Sequence, residues 1–368
     1  MTAGSAAGAQ GAAAPQGGGE NPFWEVTNLF SQVNKQGVVS SQQLGTATIP
    51  GGGNFNPGGF LRGGRLVVRT TVAGSGGTPT GDYPGNIFSN LGLQAVDGAE
   101  ILYNTIPGYD YIQAHRFFRP WLQDPTLAYD WNATVDTPAF TVMLMPEVRQ
   151  QLGCLENTDT RSQFSWTQTI NTYAGCITGG GTAPTISVTP YVDTWAQPDA
   201  EDLEKTPNQQ IPDGVNLQTK MRRQTFTLNN AGSDNNMLST LTGNAVRAAL
   251  LIVRDSNNAR QDYLSNPIQW QLDQRNLGNL SPDIVFQWAE DFYRGYGGVT
   301  RPVGVYPFPR FYSPGNMYGQ GWLYTANSTA LSWESTTLST GSNLPGTVEL
   351  LQEEVYATGP VDPSLIDL

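Results

Sequence analysis

The chain has 368 residues, with 31 acidic against 19 basic side chains and a formal net charge of −12. That balance argues against a nucleic-acid binder, which would present a basic face. Charged residues make up only 14 %, against roughly 25 % in ordinary soluble domains, which suits a surface covered by partners, because charge is depleted at interface cores.

Residues 1–20, MTAGSAAGAQGAAAPQGGGE, offer almost no apolar surface to bury. They lack the basic start and apolar run of a secretory signal. No window of the chain supplies the roughly 20 apolar residues of a membrane-spanning helix. The chain is therefore expected to remain in the cytosol, or in whatever it assembles into there. The arm reads as a disordered terminus or as a segment that orders on a neighbouring subunit. Asn21 and Pro22 then suit a helix cap and first turn, and Phe23, Val26, Phe30 and Val33 follow at helical spacing up to Gly37. This short amphipathic helix must cover its own domain, another subunit or a membrane surface, although it lacks the basic residues of a membrane-surface helix.

Beyond it the pattern is β. Strands are expected at 60–72, 140–145, 164–173, 184–192, 222–230, 246–255, 322–333 and 346–357. GGGNFNPGG (51–59) and AGSGGTPTGDYPG (73–85) are expected to be loops. Many strands, few helices and long loops indicate an all-β sandwich architecture. The order strand, polar loop, strand, aromatic helix occurs twice. GGRLVVRTTV, NIFSNLGLQAVDG and PGYDYIQAHRFFRP are matched by NAVRAALLIVRD, LSNPIQWQLDQ and SPDIVFQWAEDFYRG. The second helix is bounded by Ser281 and Gly295. Two copies of one β-domain are expected, joined within the polar stretch 196–214.

No catalytic, cofactor-binding or metal-ligating set is assigned. The single histidine, His115, lies in an aromatic helical stretch where packing or hydrogen bonding is its expected role. Cys154 and Cys176 are expected to be free thiols. GSGG and GGGTAP do not lead into Gly-Lys-Ser/Thr and read as loops. DAEDLE (199–204) and GSDNN (232–236) lack the ligand spacing of a calcium loop and read as solvated. Glu353 and Glu354 fall on opposite faces of a strand, a poor glycosidase pair. Trp131, Trp195, Trp322 and Trp333 are candidates for stacking on sugars, but core or interface positions are the expected ones. The sequons at Asn132 and Asn327 have no secretory route. The arginine excess over three lysines (Lys35, Lys205 and Lys220) is read as genome composition.

FLRGGRLVVRTTV, NIFSNLGLQAVDGAEILYN, FTVMLMPEV, the block from RAALLIVRDSNNARQDYLSNPIQWQL to PDIVFQWAEDFYRG, and the closing TVELLQEEVYA resemble the double jelly-roll major capsid proteins of tectivirus-like phages, in the wider adenovirus hexon lineage. The resemblance implies two tandem eight-stranded jelly rolls, at 38–200 and 215–368, joined by a linker at 201–214 and preceded by a flexible arm and helix at 1–37. It further implies a non-enzymatic coat subunit in the virion, assembled in the host cytoplasm. Its homotrimers would have a pseudo-hexagonal footprint and contact neighbouring capsomers, penton and minor capsid proteins. The N-terminal helix would face an internal membrane, and nucleic acid would not be contacted directly. The alternative on composition is a carbohydrate-binding or carbohydrate-active β-sandwich, such as a phage receptor-binding spike. Deleting residues 1–20 is expected to leave the melting temperature unchanged in scanning calorimetry while lowering the yield or regularity of shells.

Overall fold

The structure, a computed structural model, describes residues 39–55, 59–95, 100–119, 131–144, 146–148, 153–157, 164–195, 217–273, 275–293, 301–309 and 322–357. The expected arm, the helix after Asn21 and the linker at 201–214 lie outside these residues. Twenty strands and three α-helices are described.

The first group of strands forms two facing sheets. One has the order β1 (Val39–Gln43), β11 (Thr185–Trp195), β3 (Gly59–Val72), β7 (Phe140–Leu144), with β8 (Leu155–Asn157) also on β3. The other has β2 (Ile49–Phe55), β9 (Phe164–Ile170), β5 (Phe88–Ala95), β6 (Glu100–Ile106). The second group repeats the plan. β12 (Leu217–Leu228), β20 (Gly346–Ala357), β14 (Ala245–Arg254) and β17 (Val305–Pro309) form one sheet, with β18 (Leu323–Tyr324) also on β14. β13 (Asp234–Ser239), β19 (Leu331–Thr336), β15 (Ile268–Leu272) and β16 (Arg275–Leu280) face it. Apart from β4, β8, β10 and β18, each group has eight strands that pair in the same order: first, eighth, third and sixth in one sheet, second, seventh, fourth and fifth in the other. A parallel contact between Met221 of β12 and Tyr103 of β6 makes one continuous sheet across the two sandwiches.

Each sandwich carries a helix after its fifth position, as the repeated sequence pattern anticipates. These are α1 (Gly108–Phe118) and α3 (Pro282–Tyr293); α2 is a single turn at Tyr173–Cys176. Ser281 caps α3 by accepting from the Ile284 N–H at 3.2 Å. The two helices have different surroundings. α3 packs on β17 and leaves Ile284 55 % exposed. α1 is wedged between the sandwiches, against β5 of the first and β14, β17 and β20 of the second, with ten of its eleven residues buried.

That wedge explains the uninterrupted apolar run of β14. Leu251 and Val253 point into the core of their own sandwich with Trp270, Phe308 and Trp333. Leu250 and Ile252 point the other way, into the cluster that contains Ile112, Phe117 and Phe118 of α1. A strand buried on both faces needs apolar side chains at every position.

The structure revises several expected loops. Residues 49–55 of the glycine-rich stretch form β2, paired with β9. Gly52 has φ +142°, and a Cβ there would lie 2.3 Å from the Trp166 carbonyl oxygen, so only glycine permits this pairing. GSGG and GGGTAP are also strands: β4 (Ser75–Pro79) and β10 (Ile177–Thr182) pair with each other as an exposed two-stranded ribbon. Asp234–Asn236 of the expected solvated loop begin β13, where Asn235 is buried and caps the hairpin through the Asn229 N–H at 2.8 Å. The stretch expected as one strand at 322–333 is two, β18 and the start of β19.

Candidate functional site: a charged seam between the sandwiches

Polar groups concentrate where α1 meets the second sandwich. At its centre is Glu353 of β20, wholly buried. Arg119, just beyond α1, donates from Nε and Nη2 to Glu353 Oε1 at 3.1 and 2.9 Å. Arg247 of β14 donates from Nε to Oε2 at 2.8 Å and again from Nη2. The remaining guanidinium groups reach back into the first sandwich. Arg119 Nη1 donates to the Glu147 carbonyl at 2.6 Å, and Arg247 Nη1 donates to that of Val148. Arg119 Nη2 also meets Thr219 Oγ1 at 2.5 Å, and the Thr219 hydroxyl and N–H donate to the Pro146 carbonyl at 3.0 and 2.8 Å. Glu147 receives Arg62 through two bonds of 3.1 and 3.2 Å.

Burial disfavours the charge on both central guanidinium groups. For Arg119 the Glu353 carboxylate and the Tyr103 and Tyr111 rings outweigh it, and the pKa is raised. For Arg247 burial prevails, with Arg119 adding repulsion, and the pKa falls to about 10 in spite of Glu353. Both remain charged at neutral pH. His115, one turn before Arg119, lies against this excess of positive charge. Burial, then repulsion from Arg119 and Arg247, pulls it down to about 3. It is a neutral ring stacked on Tyr111 at 6.3 Å, as its aromatic sequence context suggested.

A second set of ion pairs holds the other end of α1. Arg254 of β14 binds Asp110 of α1, donating from Nη1 at 3.2 Å and again from Nη2, and also reaches Asp82 at 3.0 Å. Arg260 donates from Nε to Asp82 at 2.6 Å and lies over the Tyr109 ring at 4.7 Å. Burial raises the pKa of Asp110, while Arg254 opposes the shift. On the sheet itself Arg223 binds Glu349 through bonds of 2.8 and 2.9 Å. Arginine, with its rigid fork of donors, suits each of these two-point contacts better than lysine. The arginine excess therefore has a structural use, which the sequence reading as genome composition overlooked.

The seam is a joint. It clamps two sandwiches of identical strand order against one helix. Among solved structures this arrangement resembles a chain of Sulfolobus Turreted Icosahedral Virus, at 12 % identity and TM-score 0.61 over 88 % of this chain and 90 % of that one. It also resembles the major capsid protein of bacteriophage PM2, at 11 % and 0.52 over 88 % and 98 %. The Faustovirus major capsid protein matches at 10 % and 0.56 over 87 % and 89 %. The chain is a double jelly roll. No family model and no curated protein sequence matches it, so the likeness is one of fold.

Within this double jelly roll the residues weighed for other chemistry are largely structural. Trp333 and Trp322 are buried, and Trp131 packs edge-on against Phe140 at 6.2 Å. The Trp195 side chain lies outside the described residues. Glu353 and Glu354 do take opposite faces. Glu354 also is buried, and binds Arg222 at 3.3 Å and the Asn244 amide at 2.5 Å. Cys154 and Cys176 are buried thiols rather than a disulfide. Among the described residues no group of three or more His, Cys, Asp or Glu is placed to hold a metal ion.

The sequence analysis missed the seam because its partners are far apart, as with the 234 residues between Arg119 and Glu353. A trace was present. Arg62 and Arg69 of β3 have the same seven-residue spacing as Arg247 and Arg254 of β14.

Two outcomes test the seam. Glu353→Ala leaves two guanidinium groups buried without their carboxylate, and should lower the unfolding free energy by about 3–5 kcal/mol in denaturant titration. A loss below about 1 kcal/mol, the worth of an exposed pair, would contradict this burial. His115 is the one histidine of the chain, so it dominates titration between roughly pH 5 and 6.5. Its folded pKa of about 3 lies below the ordinary 6.5, so the unfolded chain takes the proton first. Stability is therefore full above about pH 6.5 and declines on acidification, approaching about 1.4 kcal/mol per pH unit. His115→Gln should flatten that slope, and equal slopes for the two proteins would refute the assignment.

Proposed function

We propose that this chain is the major coat subunit of an icosahedral phage, with a structural and non-enzymatic role. The observation that carries this reading is the rigid coupling of two like sandwiches by a buried seam, in a fold resembling those of two major capsid proteins. Three such chains place six similar units around an axis, and a six-fold footprint tiles a closed shell. In this reading residues 38–200 and 215–368 are the two building blocks, joined by 201–214. Residues 1–37 serve assembly, at the base of the capsomer and toward an internal membrane. Neighbouring capsomers, penton and minor capsid proteins are the partners, the virion is the destination, and the host cytoplasm is the place of assembly.

The sugar-binding alternative loses two of its four candidate tryptophans, because Trp322 and Trp333 are buried. The low charged fraction of 14 % supports self-association, since Lys, Glu and Asp are depleted at interface cores. Native mass spectrometry or sedimentation should reveal a species of three times the chain mass that persists on dilution. A folded monomer at micromolar protein, with no trimer under any condition, would overturn the proposal.

A further inference from the structure

Each sandwich has a helix after its fifth position and an outer sheet face centred on its third. Among the described residues only one of each is used within the chain. α1 of the first sandwich occupies the outer face of β14 in the second. That leaves α3 of the second sandwich and the outer face of β3 in the first.

The two sheet faces are built alike in detail. In β3 an extra residue, Arg62, interrupts the pairing with β11 between Leu61 and Gly63. In β14 an extra residue, Arg247, interrupts the pairing with β20 between Val246 and Ala248. Seven residues after each comes the second arginine, Arg69 or Arg254. Between them the alternation has the same phase. Leu66 and Val68 point into the first core, as Leu251 and Val253 do into the second. Arg65, Val67 and Arg69 therefore stand where Leu250, Ile252 and Arg254 meet α1. The difference is cover. Leu250 and Ile252 are 0 % exposed, whereas Arg65, Val67 and Arg69 are half-buried. The neighbouring β11 likewise leaves Ser187, Thr189 and Tyr191 half-buried. The helices differ in the same sense. α3 exposes Asp283, Ile284, Glu290 and Asp291 on the side away from β17.

We propose that α3 of one copy docks on the outer face of β3 and β11 of a second copy, repeating between chains the contact that α1 makes with β14 and β20 within one. Complementarity supports the pairing. The acidic helix surface of Asp283, Glu290 and Asp291 meets the basic strand surface of Arg65 and Arg69, as Asp110 meets Arg254 inside the chain. Ile284 and Val67 supply the apolar centre. A contact of this kind is head-to-tail, so it leaves a helix and a face unsatisfied at the two ends until the ring closes. It rests on the trimeric capsomer reading, and specifies the surfaces that hold that trimer together.

The test uses the full chain carrying both Val67→Cys and Ile284→Cys, treated with a short bis-maleimide and analysed by peptide mass spectrometry. The trimer fraction should contain an intermolecular link between positions 67 and 284, absent from either single variant. Ile284→Asp, at an exposed position, and Val67→Asp, at a half-buried one, should convert trimer to folded monomer by sedimentation and circular dichroism. Trimers that form in both aspartate variants and carry no 67–284 link would overturn this interface while leaving the capsomer reading intact. A wild-type chain that stays monomeric at every concentration would overturn the capsomer reading, and this interface with it.

Discussion

One carboxylate holds the architecture together. Glu353 is deprived of water on all sides, which is costly for a charged group unless it is fully bonded. Its oxygens are satisfied by one guanidinium from each sandwich, Arg119 and Arg247. Neither sandwich alone can provide both, so the charge is stable only when the two are docked. The apolar cluster around α1 supplies most of the adhesion, because burial of Leu250, Ile252, Phe117 and Phe118 removes large areas from water. That force is non-directional. The ion pairs at the two ends of α1 fix its position, since a shift along the strand would strand buried charges without partners.

This explains a property of the composition. The chain is poor in charge, and much of the charge it has is internal. Arg119, Arg247 and Arg254 are buried with their carboxylates, and Arg62 and Arg223 bind theirs at the same seam.

The architecture was legible in the sequence where local rules decide it. Alternation marked the long strands, and the end of β20 at Ala357 agrees with the expected 346–357. The Ser281 cap and the apolar stripe of α3 marked the second helix, and the twofold recurrence of strand and aromatic helix marked the tandem design. Glycine-rich β2, β4 and β10 were illegible because their pairing comes from close backbone approach, which no propensity records. The seam was illegible for another reason. A buried ion pair looks, in sequence, like any acid and any arginine. Glu353 and Glu354 were placed on opposite faces correctly, yet nothing local says that both faces are closed.

The position of β20 has a consequence for the timing of synthesis. It is the last described strand of the chain, yet it lies at the middle of its sheet, between β12 and β14, and bears the carboxylate on which the joint depends. The first sandwich can form while the ribosome is still working, since domains fold as they emerge. The second lacks its central strand until residues 346–357 have been made. Prematurely terminated products therefore present Arg119 and Arg247 with no counter-charge and a sheet with an open middle. Only a polypeptide that includes β20 can therefore close the joint between the two sandwiches.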